Sequence, residues 1–251
     1  MVSDTRSPAP RTSDSVSVII PTCDDAAELA RCLRQLRPAE DEVIVVDASS
    51  DGATRAVAES AGCQVIRSRH RHRARQMNLG ASVATGAIFL FLHADTDLPW
   101  GAIEKIRAVM KDPDVVGGAF ARKYKSRSLF LAVTCWLAKW RGRFFGWYLG
   151  DQAMFVRREG FDALHGYNDF SLFEDLDFSR RLRGLGKTVS LLPAVVSSAR
   201  RFERRGPFAT TLDDVNLTRR YLAGADPNLL GSQRCDLRGE RGGLFLRKHP
   251  R

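Results

Sequence analysis

A short apolar run that ends in carboxylates most constrains the fold of this chain. Residues 88–92 read Ile-Phe-Leu-Phe-Leu, and Asp95 and Asp97 follow closely, before Pro99. The run is too short to span a bilayer, so it predicts a buried parallel strand. In α/β sheets, ligands bind beyond the carboxyl ends of such strands. Asp95 and Asp97 are therefore predicted at a ligand-binding edge, where a divalent cation that itself grips a diphosphate would be held.

Strand-like and helix-like segments alternate through the first half of the chain. The β-branched runs at residues 16–20 and 43–46 are stopped by Pro21 and Asp47, and leucines recur at helical spacing between them. Helices are expected at residues 54–61, 74–84 and 100–110, with a strand at 64–66. This order predicts one α/β domain with a Rossmann-like, mainly parallel central sheet flanked by helices.

The second half departs from that rhythm. Strands are expected at residues 115–120 and 188–192, the latter ending before Pro193, and helices at 128–140 and 174–185. Residues 200–205 are interpreted as a mobile basic loop that closes over a leaving diphosphate, or as a solvated segment without that role. The expected organisation is a disordered leader at residues 1–15, a domain at 16–225 and a basic tail at 226–251.

The net charge indicates the class of binding partner, and the cysteines indicate the cellular compartment. The formal net charge is +10, which favours an anionic partner: nucleotide phosphates, an anionic membrane surface or nucleic acid. Five scattered cysteines predict reduced, buried thiols of a cytosolic protein rather than disulfides or a zinc site. Residues 1–15 lack the apolar segment of a secretion signal.

Several candidate residues have a structural alternative. Asp47 ends a strand and would meet a base or ribose, or would only close an Asx turn. The alternating basic run at residues 67–75 is a solvated face or a nucleic-acid contact, and it lacks the interleaved aromatics typical of nucleic-acid binding. Within it, Arg73 lies nearest a helix start and is the candidate for contact with a nucleotide. Asp97 would also suit the N-cap of the next helix. Glu174 and Asp175 suit the positive end of a helix dipole, or Asp175 would accept a hydroxyl proton.

Taken in order, these motifs resemble family 2 glycosyltransferases of the GT-A fold. The resemblance rests on Val-Ser-Val-Ile-Ile-Pro-Thr, on Val-Ile-Val-Val-Asp-Ala-Ser-Ser-Asp-Gly, on the strand that leads to Asp95, and on Glu174-Asp175. It covers about residues 16–205. A narrower bacterial subgroup, related to enzymes that glycosylate a carotenoid acid (diaponeurosporenoate), is suggested by His-Ala-Asp-Thr, Gly-Asp-Gln and Ser-Ala-Arg-Arg-Phe-Glu-Arg-Arg-Gly.

The resemblance implies a role for each matching residue. Asp175, with Glu174 beside it, would be catalytic, and Asp95, with Asp97 second, would bind Mg²⁺ or Mn²⁺. His93 stands where the family usually has the first Asp of its Asp-x-Asp motif. The nucleotide sugar, with a UDP-sugar favoured, would be bound by Pro21, Thr22, Asp47, Arg73, Asn78, Asp95, Gly150, Asp151 and Arg201.

The reading that results is an inverting, metal-dependent transfer of a sugar to an acceptor hydroxyl or carboxyl. The Gln-x-x-Arg-Trp signature of processive synthases is missing, so a non-processive reaction is expected. Two alternative functions are open. The first is a nucleotidyltransferase-like enzyme, although this chain lacks the glycine- and lysine-rich loop usual in such enzymes. The second is a non-catalytic basic nucleic-acid-binding protein, in which the carboxylates would be dispensable. No nucleic-acid partner is expected.

The acceptor is predicted from residues 129–148, where aromatics alternate with Arg and Lys. These residues form either an interfacial helix that reaches a lipid or isoprenoid acceptor, or a helix packed on the sheet. A small-molecule acceptor is the other option. The expected location is cytoplasmic, with peripheral contact on the inner face of the membrane as the alternative.

Overall fold

The computed structural model describes residues 13–38 and 41–237, except for the side chains of residue 204 and residues 235–237. The leader predicted at residues 1–15 therefore lies almost wholly outside the described residues, as does the last part of the tail.

The described residues form eight strands, ten helices and a short 3-10 turn at Gly150–Gln152. The strands are β1 Val16–Thr22, β2 Glu42–Asp47, β3 Gln64–Arg67, β4 Ile88–Phe91, β5 Thr96–Asp97, β6 Val115–Tyr124, β7 Met154–Arg157 and β8 Lys187–Ser197. The helices are α1 Ala26–Leu33, α2 Ala53–Ser60, α3 Arg73–Val83, α4 Ala102–Val109, α5 Leu129–Phe145, α6 Arg158–Ala163, α7 Glu174–Leu185, α8 Arg200–Arg205, α9 Pro207–Leu222 and α10 Pro227–Leu237.

One sheet runs through the domain in the order β3-β2-β1-β4-β7-β6-β8-β5. The pairs β2/β3, β1/β2, β1/β4 and β6/β8 are parallel. Strand β7 is antiparallel to β4 and β6, and β5 is antiparallel to β8. The prediction of a single α/β domain is confirmed, and the sheet is mixed because β7 and β5 reverse direction.

Helices cover both faces of the sheet. Along β1, Val16, Val18 and Ile20 pack into one apolar cluster, whereas Ile19 packs into the other. This alternation with full burial is what a strand between two helical layers shows. The buried runs that the sequence predicted at β1, β2 and β4 therefore form the centre of the core.

Strand β8 differs from its predicted end at Pro193. It continues to Ser197, and its pairing with β6 shifts register between Phe120 and Arg122, opposite residues 192–194. A proline is tolerated in a sheet where a bulge removes the need for its missing N–H. The strand predicted to end at Phe120 likewise continues, to Tyr124.

One prediction about the last part of the chain is wrong, and the predicted tail contains a packed helix. Residues 200–205 form the short helix α8 rather than a loop. The predicted tail begins with helix α10, whose Leu230 is buried with Leu217 of α9 and Leu176 of α7. The packed structure therefore extends past residue 225.

The thiol prediction is met in part. Cys23, Cys32, Cys63 and Cys135 are free, but only Cys32 and Cys135 are buried, whereas Cys23 and Cys63 are half-buried. The fifth cysteine, at position 235, lies outside the described side chains.

Two glycines provide a matched test of the sheet packing. A Cβ at Gly118 of β6 would lie 2.0 Å from the carbonyl oxygen of Val189, whereas a Cβ at Gly184 of α7 would meet nothing within 4 Å. We expect Gly118→Ala to lower the free energy of unfolding by about 3 kcal/mol, because backbone must move to admit the methyl group. Gly184→Ala should leave it unchanged or raise it by up to ~1 kcal/mol. Urea unfolding measures both, and equal losses would contradict the packing described.

Candidate active site

Three parallel strands end at one edge of the sheet and deliver the first set of polar residues. Thr22 of β1 lies opposite Asp47 of β2, and β4 pairs with β1 up to Phe91. The chain leaving β4 stays in register, since Leu92 N–H donates to the Ile19 carbonyl at 3.0 Å. The segment from His93 to Asp95 therefore emerges beside the ends of β1 and β2, as the sequence predicted.

Asp47 borders a cleft of about 400 Å³ lined by Asp47, Ser49, Ser50, Asp51, Gly52, Arg55, Val65 and Arg67. Its Oδ1 accepts hydrogen bonds from the Ser49 N–H at 3.0 Å and the Ser49 hydroxyl at 2.5 Å. The Thr22 hydroxyl donates to the same oxygen at 3.3 Å. The Asx-turn alternative is thus present, but it uses Oδ1, and within the described residues Oδ2 has no hydrogen bond. Asp47 can close the turn and still accept a donor from a ligand.

Gln76 is a buried residue of this edge that the sequence analysis did not single out. Its Nε2 donates to the carbonyls of Thr22 and Val46, both at 2.8 Å. These bonds join the first turn of α3 to the ends of β1 and β2. They also place Arg73, one turn earlier, at the same edge. The available signal was a glutamine among the small and apolar residues of an otherwise buried helix face.

Glu174 and Asp175 stand at the first turn of α7, as predicted. Asp175 Oδ2 accepts a hydrogen bond from the Gly150 N–H, and its Oδ1 accepts one from the Leu176 N–H at 2.6 Å. Glu174 is buried and lies 3.3 Å from Arg73 Nη1. The structure therefore brings together Arg73, Gly150, Glu174 and Asp175, which belong to three distant parts of the chain.

The environment of Asp175 raises the pKa of its carboxyl to about 7. Burial is the largest cause, and repulsion by the neighbouring Glu174 is the second. The Gly150 N–H, the Arg73 guanidinium and the Leu176 N–H act in the opposite direction. A carboxylate whose pKa lies near neutral pH is suited to accept a proton from a hydroxyl.

His93 and Gly150 form the wall beside Asp175. A Cβ at Gly150 would lie 2.7 Å from His93 Nε2 and 3.2 Å from Asp175 Oδ2, so this position requires glycine. Burial, with a contribution from Arg73, lowers the pKa of His93 to about 3, which keeps the imidazole neutral. Its Nε2 is buried and has no hydrogen-bond partner within the described part of the chain.

Asp95 lies between two arginines. Its carboxylate is 36% exposed and 3.8 Å from Arg200 Nη2. Burial is the main cause that raises the pKa of Asp95, and the Arg200 and Arg73 guanidinium groups oppose it. Arg200 also approaches Glu28 Oε1 at 3.4 Å. In the predicted basic segment it is thus Arg200, not Arg201, that reaches the ligand-binding edge.

Two predicted ligand contacts are engaged elsewhere. Asp97 Oδ1 is 2.9 Å from Arg31 Nε and its Oδ2 is 2.6 Å from Lys125 Nζ, so both oxygens are in ion pairs. It does not cap the next helix either, because the N-cap residue of α4 is Gly101. Asn78 uses both ends of its amide on the backbone of Tyr167, at 2.8 and 2.9 Å.

Asp151 and Arg201 also have protein partners. Both oxygens of Asp151 accept from Arg122 Nη1 at 2.7 Å, and the Tyr124 hydroxyl donates to Oδ2 at 3.0 Å. Burial opposes ionisation, but the Arg122 guanidinium lowers the pKa of Asp151. Arg201 forms an ion pair with Asp214 of α9. Asp151 therefore supports the 3-10 turn that carries Gly150, and Arg201 attaches α8 to α9.

The comparison with protein families decides the identity. The model of glycosyl transferase family 2 matches residues 17–174, more than half of the chain. The chain belongs to this family. The family resemblance seen in the motifs is confirmed at that level, and its narrower subgroup stays a prediction.

One relative of the chain matches part of its length. A stretch of 113 residues is 34% identical to the uncharacterized protein MT1568 of Mycobacterium tuberculosis (strain CDC 1551 / Oshkosh), covering 42% of this chain and 35% of that protein. The chain thus spans about a third of that relative.

Two solved structures share the fold. S. aureus TarS 1-349 in complex with UDP-GlcNAc aligns with a TM-score of 0.59 at 15% identity, over 74% of this chain and 59% of TarS 1-349. The mannosyltransferase PcManGT from Pyrobaculum calidifontis, in complex with GDP-Man and Mn²⁺, aligns with a TM-score of 0.57 at 19% identity, over 91% of this chain and 76% of that one.

The raised pKa of Asp175 has a consequence for stability. Its folded-state pKa of about 7 exceeds the ~3.9 of an unfolded aspartate, so the folded state binds more protons between these values and loses stability as pH rises. We expect the difference in Tm between Asp175→Asn and the wild type to shift in the variant's favour by several degrees between pH 4 and pH 8. Thermal unfolding across that range measures it. A constant difference, reporting only altered hydrogen bonds, would contradict the assignment.

Proposed function

We propose that this enzyme transfers a sugar from a nucleotide diphosphate sugar to an acceptor hydroxyl or carboxyl, with inversion at the anomeric carbon and one transfer per encounter. The observation that carries the proposal is the position of Asp175. This carboxylate is held by two backbone N–H groups and has a pKa near 7. It faces the same cluster as Arg73 and belongs to an edge that also presents Asp47 and Asp95.

The donor would lie along the ends of β1, β2 and β4. The Asp47 cleft would take the nucleobase and ribose, next to Pro21 and Thr22, with Oδ2 of Asp47 accepting a base or ribose donor. The structural neighbours bind UDP-GlcNAc, UDP and GDP-Man, which supports a nucleotide sugar as the donor class. Within this class, a UDP-sugar, which the sequence favours, is the proposed donor.

The residues at this edge fit a divalent cation shared with the donor diphosphate. Asp95 offers a half-exposed carboxylate, and the described residues contain no group of three His, Cys, Asp or Glu that could hold a metal alone. Mg²⁺ and Mn²⁺ commonly bind through one or two carboxylates while a substrate phosphate supplies other oxygens. Asp95 would hold the cation, which would neutralise phosphate charge. Asp97 is left out of this site because of its ion pairs.

The proposed reaction moves one proton and one glycosyl group. A neutral acceptor hydroxyl gives its proton to Asp175 as its oxygen attacks the anomeric carbon, and the bond from that carbon to the diphosphate oxygen breaks. For a carboxylate acceptor the proton step falls away, and Asp175 would serve to orient the acceptor. Arg73 and Arg200 meet the charge that develops on the leaving nucleoside diphosphate. Glu174 holds Arg73 in place and raises the basicity of Asp175.

The Asp175 assignment can be tested by removing one charge. We expect Asp175→Asn to lower kcat about 10³-fold with a hydroxyl acceptor, because the general base is lost, while the Kd of the nucleotide sugar stays the same. Wild-type kcat/KM should fall as pH drops below about 7, since Asp175 becomes protonated. Steady-state kinetics and calorimetry give these values.

Asp177→Asn is the matched control. Asp177 lies in the same helix turn, but its Oδ2 accepts from Arg181 and Asn168. It should keep its activity. Full activity of Asp175→Asn with a hydroxyl acceptor would remove the general-base role.

The metal assignment separates two neighbouring aspartates. Manganese with a nucleoside diphosphate at a hundred times its Kd should stabilise the wild type by about 2.7 kcal/mol. We expect Asp95→Asn to abolish the manganese-dependent part of this shift, and Asp97→Asn to retain it at a cost of at most ~1 kcal/mol in basal stability. Differential scanning fluorimetry with and without manganese makes the measurement. The reverse pattern would assign the cation to Asp97.

A further inference from the structure

Helix α5 carries an apolar stripe on its outer side. Leu131, Cys135, Ala138 and Gly142 are buried against the sheet. On the opposite side stand Leu129, Val133, Trp136, Trp140 and Phe144, which follow one another at helical spacing and are all exposed. The exposed face of an ordinary surface helix is polar, so this pattern requires an apolar partner. We call these five residues the α5 stripe.

The stripe is part of a wider surface that includes α9. Phe130 of α5 contacts Phe208 of α9, with ring centroids 5.7 Å apart. Phe208, Leu212 and Val215 are 63%, 54% and 50% exposed and also share one helix side. Trp140 stacks on Phe144 at 5.4 Å, which keeps the aromatic side chains together. The apolar surface is thus continuous across two helices.

The charges around this surface are of one sign. Helix α5 contains the exposed or half-buried Lys139 and Arg143 and no acidic residue, and Arg127 precedes it. Two further basic residues are engaged within the protein, Arg141 with Gln152 and Lys125 with Asp97. The two acids of α9, Asp213 and Asp214, are paired with arginines. A second copy of this chain would bring the same cationic flanks together, whereas an anionic lipid surface would complement them.

We propose that the α5 stripe and the exposed residues of α9 dock the enzyme on an anionic membrane surface. Aromatic and aliphatic side chains would enter the boundary between headgroups and acyl chains, and the basic residues would contact lipid phosphates. Among the described residues, no helix is long and apolar enough to cross a membrane.

This surface lies close to the catalytic residues along the chain. Four residues separate Phe145, the last residue of α5, from Gly150, which donates to Asp175, so their Cα atoms are at most about 18 Å apart. Arg141 of α5 also donates to the Trp147 carbonyl at 3.1 Å and to Gln152 at 3.2 Å. Resting on the proposed function, the acceptor class is then an amphiphile whose hydroxyl or carboxyl stands at the membrane surface.

Vesicle flotation tests the docking surface. We expect the wild type to float with vesicles of phosphatidylcholine and phosphatidylglycerol and not with phosphatidylcholine alone. Trp136→Ser/Trp140→Ser should reduce binding roughly tenfold or more, because two exposed apolar side chains are lost. Lys139→Gln/Arg143→Gln should weaken binding to the anionic vesicles. Trp100→Ser is the matched control, because Trp100 is 90% exposed but lies outside this surface, before α4.

Three outcomes would overturn the proposal. The wild type would stay unbound to anionic vesicles, or the tryptophan double variant would bind as well as the wild type, or the wild type would be a dimer that this double variant converts to monomers. Stabilisation by UDP and manganese is measured on the same variants. If UDP and manganese stabilise neither the wild type nor any variant, the result would count against the proposed glycosyl transfer alone. A tryptophan variant that no longer floats but is stabilised normally by UDP and manganese would support the docking surface.

Discussion

The two backbone N–H groups that bind the Asp175 carboxylate are the constraint on which the site depends. One is the N–H of Leu176 in the first turn of α7, and the other is the N–H of Gly150 in a turn between α5 and β7. A half-buried carboxylate such as that of Asp175 needs such donors, because removing it from water without them is costly. The donors fix the distance between α7 and the 3-10 turn. They leave no space for a side chain at position 150, where His93 already closes the wall.

The remaining polar groups hold this arrangement in place. Gln76 joins α3 to the ends of β1 and β2, which positions Arg73 against Glu174. Arg122 and Tyr124 of β6 hold Asp151, and so the same turn that carries Gly150. Asp175 thus stays next to Glu174 despite their like charges, because the hydrogen bonds from Gly150 and Leu176 fix its position. The raised pKa of Asp175 comes at some expense of stability at neutral pH, a trade that functional sites commonly make.

The sequence was informative where a residue's role depends on its own element. Helix α7 has the predicted bounds, because its acids mark the start and Gly186 ends it. The carboxylates at strand ends lie at one edge, because parallel strands impose that. The partners of individual side chains could not be predicted in the same way. Asp97 pairs with Lys125 and Asn78 binds the backbone of Tyr167, and both partners are distant in sequence. Arg200 and Arg201 are adjacent, and only the packing of α8 decides which of them reaches Asp95.

Helix α5 shows a second limit of prediction from the sequence. Its sequence is apolar around nearly the whole circumference, which allows both a helix packed on the sheet and an interfacial helix. The fold shows that these alternatives are compatible, because small residues at 135, 138 and 142 face the sheet while the large aromatics face outward. A core helix would place its bulky side chains inward, where they bury most area. The outward placement of two tryptophans beside Lys139 and Arg143 therefore supports the proposed docking on an anionic membrane surface over packing within the domain.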